Sequence, residues 1–80
     1  MAERAAELYE RTAEVLEQSA TLAEEHAQRQ ERAGRSASAE YEHRAAERTR
    51  TAAQRARDAA DRARKAAQQA RSLAPGDPKQ

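Results

Sequence analysis

The sequence predicts an all-α fold: an antiparallel two-helix hairpin, packed as an alanine-rich coiled coil and completed by oligomerisation into a helical bundle. Three observations lead there. The chain is built mainly from Ala, Glu, Arg, Gln and Leu, the strongest helix formers, and has no proline before Pro75. Its one internal break is the stretch Gly34-Arg35-Ser36-Ala37-Ser38. Beyond that break a seven-residue repeat runs for four periods, AAERTRT, AAQRARD, AADRARK and AAQQARS, from Ala45 to Ser72.

The first helix is predicted over about residues 2–34. It opens on Glu3 and Glu7 and closes on Arg29, Arg32 and Arg35. Those signs suit the exposed N–H groups at its start and the exposed carbonyls at its end. Leu8, Tyr9, Thr12, Val15, Leu16, Ser19, Leu22, Ala23 and His26 follow steps of one, three and four, which gather on one broad helical face.

Gly34 is suited to the position just past a helix end, where a positive φ is needed. A turn is predicted over about 35–37, and Ser36 or Ser38 is the expected N-cap of a second helix over about 38–73. Glu40 and Glu42 fall in the opening of that helix and Arg62, Arg64, Lys65 and Arg71 near its close. Pro75-Gly76-Asp77-Pro78 ends it, leaving residues 75–80 as a flexible tail beyond a hairpin of residues 1–74. Six acid-before-base pairs at i,i+4 support both helices: Glu7–Arg11, Glu25–Arg29, Glu31–Arg35, Glu40–Arg44, Asp58–Arg62 and Asp61–Lys65. They outweigh the low mean hydropathy of −1.22, which taken alone suits a disordered chain.

The direction of pairing comes from charge. The net charge of +1 conceals an acidic first half and a basic second half. Glu3, Glu10, Glu17, Glu24 and Glu31 recur every seven residues, as do Arg50, Arg57, Arg64 and Arg71. A reversal near residues 35–38 pairs positions whose numbers sum to about 74, giving Glu3–Arg71, Glu10–Arg64, Glu17–Arg57 and Glu24–Arg50. The same sum holds between two chains, so a swapped antiparallel dimer and one long helix dimerised in trans remain alternatives. Size and periodicity predict a seam of Leu8, Val15, Leu16 and Leu22 against Ala45, Ala52, Ala56, Ala59, Ala63, Ala66 and Leu73. Tyr9 and Tyr41 are expected to face inward as anchors.

The apolar content bounds function. Of the 38% hydrophobic residues, 22 are Ala, leaving Met1, Leu8, Tyr9, Val15, Leu16, Leu22, Tyr41 and Leu73 as the larger side chains. Burying each contributes about 1.5–3 kcal/mol, against about 1–2 kcal/mol of backbone entropy for every residue ordered. Two such helices are poorly supplied to stand alone or to wall a catalytic pocket. With two glycines and no cysteine, phosphate loops, disulfides and thiolate metal sites are excluded. No serine has a base and a glycine elbow beside it. No enzymatic activity and no cofactor is expected. Glu3 and the absence of a long apolar run predict neither a signal peptide nor a membrane span, so a cytoplasmic protein is expected.

Glu40-x-x-His43 has the spacing of a half-site in di-metal bundles, with Glu25 or Glu31 as further carboxylates. Both residues fall off the alanine seam, so the expectation is a solvated pair in the first turn and no metal. His26 is read as a partly buried packing histidine. The predicted function is a helical interaction or scaffolding module that forms a homo-oligomer or docks on a helical protein partner. Its face is Leu8, Tyr9, Val15, Leu16, Leu22, Tyr41 and Leu73. The alternative is polyanion (nucleic-acid) binding through Arg44, Arg48, Arg55 and Arg62, a second basic stripe. Across the hairpin that stripe is expected to meet Glu25, Gln18, Arg11 and Arg4. No aromatic side chain interleaves it to stack on bases.

Overall fold

The computed structural model describes residues 2–73, which form two α-helices, α1 (Ala2–Arg32) and α2 (Ser36–Ser72). They pack along each other as an antiparallel hairpin, and no helix is long and apolar enough to cross a membrane among the described residues. At ~1.5 Å per residue α2 is ~55 Å long. The expected tail at 75–80 lies outside the described residues.

The reversal is made by backbone geometry. Gly34 has φ +79°. Its N–H donates to the Glu31 carbonyl at 3.0 Å and the Arg35 N–H to the Gln30 carbonyl at 2.8 Å. This 6→1 and 5→2 pair is the Schellman arrangement, which satisfies carbonyls that a helix end leaves free. Arg35 Nη1 also donates to Gln30 Oε1 at 3.3 Å. α2 begins two residues earlier than expected, at Ser36. Arg35 occupies the N-cap position with no side-chain cap bond, and no acid falls in the first turn of α2. Neither Ser36 nor Ser38 caps it, because the tight Schellman exit makes the helix restart before either serine.

Among the described residues every buried side chain is that of an alanine. Ala6, Ala13, Ala20 and Ala27 of α1 and Ala39, Ala46, Ala53, Ala60 and Ala67 of α2 are buried, most at 0–2% exposure. Both series step by seven. Labelling these rows a in the heptad a–g, the half-buried Leu16, Ala23 and Gln30 of α1 and Glu42, Thr49, Ala56 and Ala63 of α2 fall at d. A row of single methyls fills an interface only when two backbones approach closely, toward the short end of the ~8–10 Å range of helix spacings.

This overturns the expected seam. On α2 the buried row lies one residue on from the expected Ala45, Ala52, Ala59 and Ala66, a rotation of about 100°. On α1 Leu16 is half-buried, while Leu8, Tyr9, Val15 and Leu22, with Tyr41 and Leu73, are 44–80% exposed. Tyr9 and Tyr41 are not inward anchors, and His26 is exposed. The cause lies in α2, which has no Leu, Val or Ile to mesh with a leucine row. Turning α1 to bury Leu8, Val15 and Leu22 would also carry its glutamate row away from the arginines of α2.

Candidate interaction surface

The heptad fixes which side chains share each long edge of the hairpin. At about 100° per residue, e lies beside a on one flank, while d, g and c follow in turn around the other. Antiparallel pairing places the two e rows together on one edge and the two d/g/c sides together on the opposite edge.

The e edge is a ladder of ion pairs. Arg50 Nη1 approaches Glu24 Oε2 at 3.1 Å and Arg57 Nη1 approaches Glu17 Oε2 at 2.5 Å. Arg64 pairs with Glu10 and Arg71 with Glu3. All four pairs expected from the sum of 74 are present. A fifth rung was not anticipated: His43 Nδ1 donates to Glu24 Oε1 at 2.5 Å, and His43 Nε2 lies 3.5 Å from Glu31 Oε1. Its signal was present in the sequence, since 31 and 43 also sum to 74 and His43 begins the row 43, 50, 57, 64, 71. The solvated Glu40–His43 pair is not formed; Glu40 instead pairs with Arg44 at 3.5 Å. The hydrogen bond to Glu24 raises the His43 pKa above its ordinary value, with Glu31 adding to it and desolvation opposing it. Glu24 is held below the usual carboxylate range, first by Arg50 and then by His43. Among the described residues no group of three or more His, Cys, Asp or Glu is placed to hold a metal ion.

The opposite edge has a different chemistry. α1 contributes Leu8, Val15 and Leu22 at c, Tyr9, Leu16 and Ala23 at d, and Ala5, Thr12, Ser19 and His26 at g. α2 contributes Ala56 and Ala63 at d and Ala45, Ala52, Ala59 and Ala66 at g, with Tyr41 in its c row. Leu73, just past α2, continues the g row. The seven residues of the predicted interaction face thus lie in the d, g and c rows, and Leu16 alone of them is half-buried beside the seam. Thr12 and Thr49 add to its apolar character, because their hydroxyls donate to the Leu8 and Ala45 carbonyls at 3.0 Å each. Leu8, Thr12, Val15 and Leu16, with Arg11 of the adjoining f row, line a shallow depression at its α1 margin.

The predicted basic stripe divides. Arg48, Arg55 and Arg62 form the c row of α2, exposed and without an ion-pair partner among the described residues. Arg44 belongs to a different row, f, and pairs with Glu40. No ion pair joins the stripe to Glu25, because the α1 row of Arg4, Arg11, Gln18 and Glu25 lies at f, toward the ladder side of the helix.

Comparison of the chain with family models, curated proteins and solved structures finds no match.

Proposed function

We propose that the chain is a non-enzymatic helical interaction module whose working surface is the open d/g/c edge of the hairpin. One observation carries this reading: the nine buried residues among those described are all alanine, while Leu8, Tyr9, Val15, Leu22, Tyr41 and Leu73 are exposed. Large apolar side chains exposed in this number are costly in water, and such surface marks association sites. The hairpin uses its cheapest side chains for its own fold and leaves its largest for a further helix. That helix belongs to a second copy or to another protein, and either completes a helical bundle.

No catalytic role is assigned. Among the described residues the carboxylates lie on open flanks or in the ladder, with no pocketed base and nucleophile beside them. Polyanion binding remains the second reading, supported by the unpaired row Arg48, Arg55 and Arg62.

The test is molar mass by light scattering over a concentration series, with helicity followed in parallel. Leu22 suits it better than the half-buried Leu16, because Leu22 is 60% exposed and makes no seam. Leu22→Glu is expected to keep the hairpin helical while abolishing association, whether with itself or with an added amphipathic helix. Association indifferent to Leu22→Glu would falsify the reading.

A further inference from the structure

The open edge differs from the ladder edge in the sign of its charge as well as in its apolar surface. Among the described residues the acids fall at e (Glu3, Glu10, Glu17, Glu24 and Glu31), at b (Glu7, Glu14, Glu40, Glu47 and Asp61) or at f (Glu25 and Asp58). All of these positions lie on the ladder side of their helices. Glu42, at d, is the one acid on the open side. The open side meanwhile carries Arg29 at c of α1 and Arg48, Arg55 and Arg62 at c of α2. The groove between the helices on this side is therefore lined by their mostly small or apolar d and g rows, and the outward-turned c rows flank it, leucine and valine on α1 and arginine on α2.

We infer that the occupant of this groove is an acidic amphipathic helix of another protein, with apolar residues toward the groove and Glu or Asp at seven-residue spacing along the flank that meets Arg48, Arg55 and Arg62. This rests on the open edge being the interaction surface. The hairpin itself supplies the recognition rule, since its other arginine row, at 50, 57, 64 and 71, is matched by a glutamate row of the same period. The c-row arginines are spaced ~10.5 Å apart, which is the rise of one heptad on any partner helix. The c row of α1, Leu8, Val15 and Leu22, has the same repeat. One docked helix can thus satisfy both rims in a single register.

A second copy of this chain fits less well. Its own glutamate row is engaged in its own ladder, on the edge turned away from the contact. The rims it would present are again Arg48, Arg55 and Arg62 on α2 and Leu8, Val15 and Leu22 on α1, with Arg4 and Arg11 next outward. Stacked α1 on α1 and α2 on α2, such a pair sets arginine row against arginine row, which repels; stacked α1 on α2, it sets the arginines against leucine and valine with no acid to answer them. Nucleic acid would satisfy the arginines but leave the leucine rim in water.

The probe is a labelled synthetic helical peptide of about four heptads, with Leu at both seam positions and Glu along one flank. Its companion carries Lys in place of each Glu. Anisotropy at physiological salt is expected to show the Glu peptide binding at least about tenfold more tightly than the Lys peptide. Replacing Arg48, Arg55 and Arg62 together by Glu is expected to invert that preference with helicity unchanged, and replacement by Gln to flatten it. Leu22→Glu is expected to abolish binding of both peptides.

Equal affinity for the two peptides overturns the proposal. So does a rise in the chain's own mass that Leu22→Glu removes while neither peptide binds; this returns the groove to a second copy and leaves the interaction reading standing. Binding to a short DNA duplex that weakens steeply with salt, is lost in the triple arginine variant and survives Leu22→Glu assigns the row to a polyanion instead. Absence of both peptide binding and self-association defeats the proposal and the interaction reading together.

Discussion

The two long edges of this hairpin use the same heptad for opposite purposes. On the ladder edge Glu and Arg rows meet within the chain, and each charge has a partner on the other helix. On the open edge the rows are as regular, but among the described residues Leu8, Val15 and Leu22 meet no apolar row and Arg48, Arg55 and Arg62 meet no acid. Between them runs a buried row of methyls. The difference shows how a hairpin with few large side chains divides its tasks. Close alanine packing and a charge ladder hold the fold, and the surface that would add most hydrophobic stabilisation is kept outside it.

The sharpest way to break the comparison is to enlarge a buried methyl. Ala20→Leu, at a site with 0% exposure, is expected to destabilise the hairpin by about 1–3 kcal/mol, because the close helix spacing has no room for the added carbons. Ala52→Leu, half-buried on the open edge, is expected to stay within about 0.5 kcal/mol, since its side chain can extend outward. Thermal unfolding followed by circular dichroism checks both. Equal losses at the two positions would erase the distinction between seam and edge.

A smaller effect separates the two arginine rows. Arg57→Glu sets a glutamate against Glu17 and is expected to cost up to about 1 kcal/mol, of which adding Glu17→Arg recovers about 0.2–1 kcal/mol. The exposed Arg55, with no partner, gives no such coupling: Arg55→Glu alone is expected to be near neutral. A double-mutant cycle without coupling at 17 and 57 would remove the ladder as a determinant of register.

The smallest effect lies at the turn end of the ladder and depends on pH. His43 is raised above its ordinary value of about 6.5, so its contribution is complete below that pH and is lost as pH rises through the folded-state value. Glu24 is lowered from about 4.5, so its contribution is complete above 4.5 and is lost as pH falls through its folded-state value. Stability from this rung is therefore expected to be greatest between about 4.5 and 6.5. Denaturant midpoints of the parent and His43→Gln should converge at alkaline pH and separate within that window. A constant separation across the range would show that His43 acts there without titrating.

The sequence alone determined the helices, the break between them and the register of their charge rows, while the folding of the two helices onto each other within one chain came from the tertiary structure. Helix propensity, the break at Gly34 and the charge gradient are local or additive signals, and charge rows keep their period whatever the packing. The sum of 74 therefore found four ladder rungs, and extended to residue 43 it finds the fifth. The tertiary structure decided the rotation of each helix about its own axis. Read by size, Leu8, Val15 and Leu22 belong inside, because burial energy grows with apolar area. Packing depends on what the opposite helix offers, however, and α2 offers only methyls over the length where those residues would need a counterpart. The Glu and Arg rows must also lie side by side, which turns Ala6, Ala13, Ala20 and Ala27 inward. A choice between two alanine rows one residue apart on α2, and between size and complementarity on α1, arises only when both surfaces are present at once.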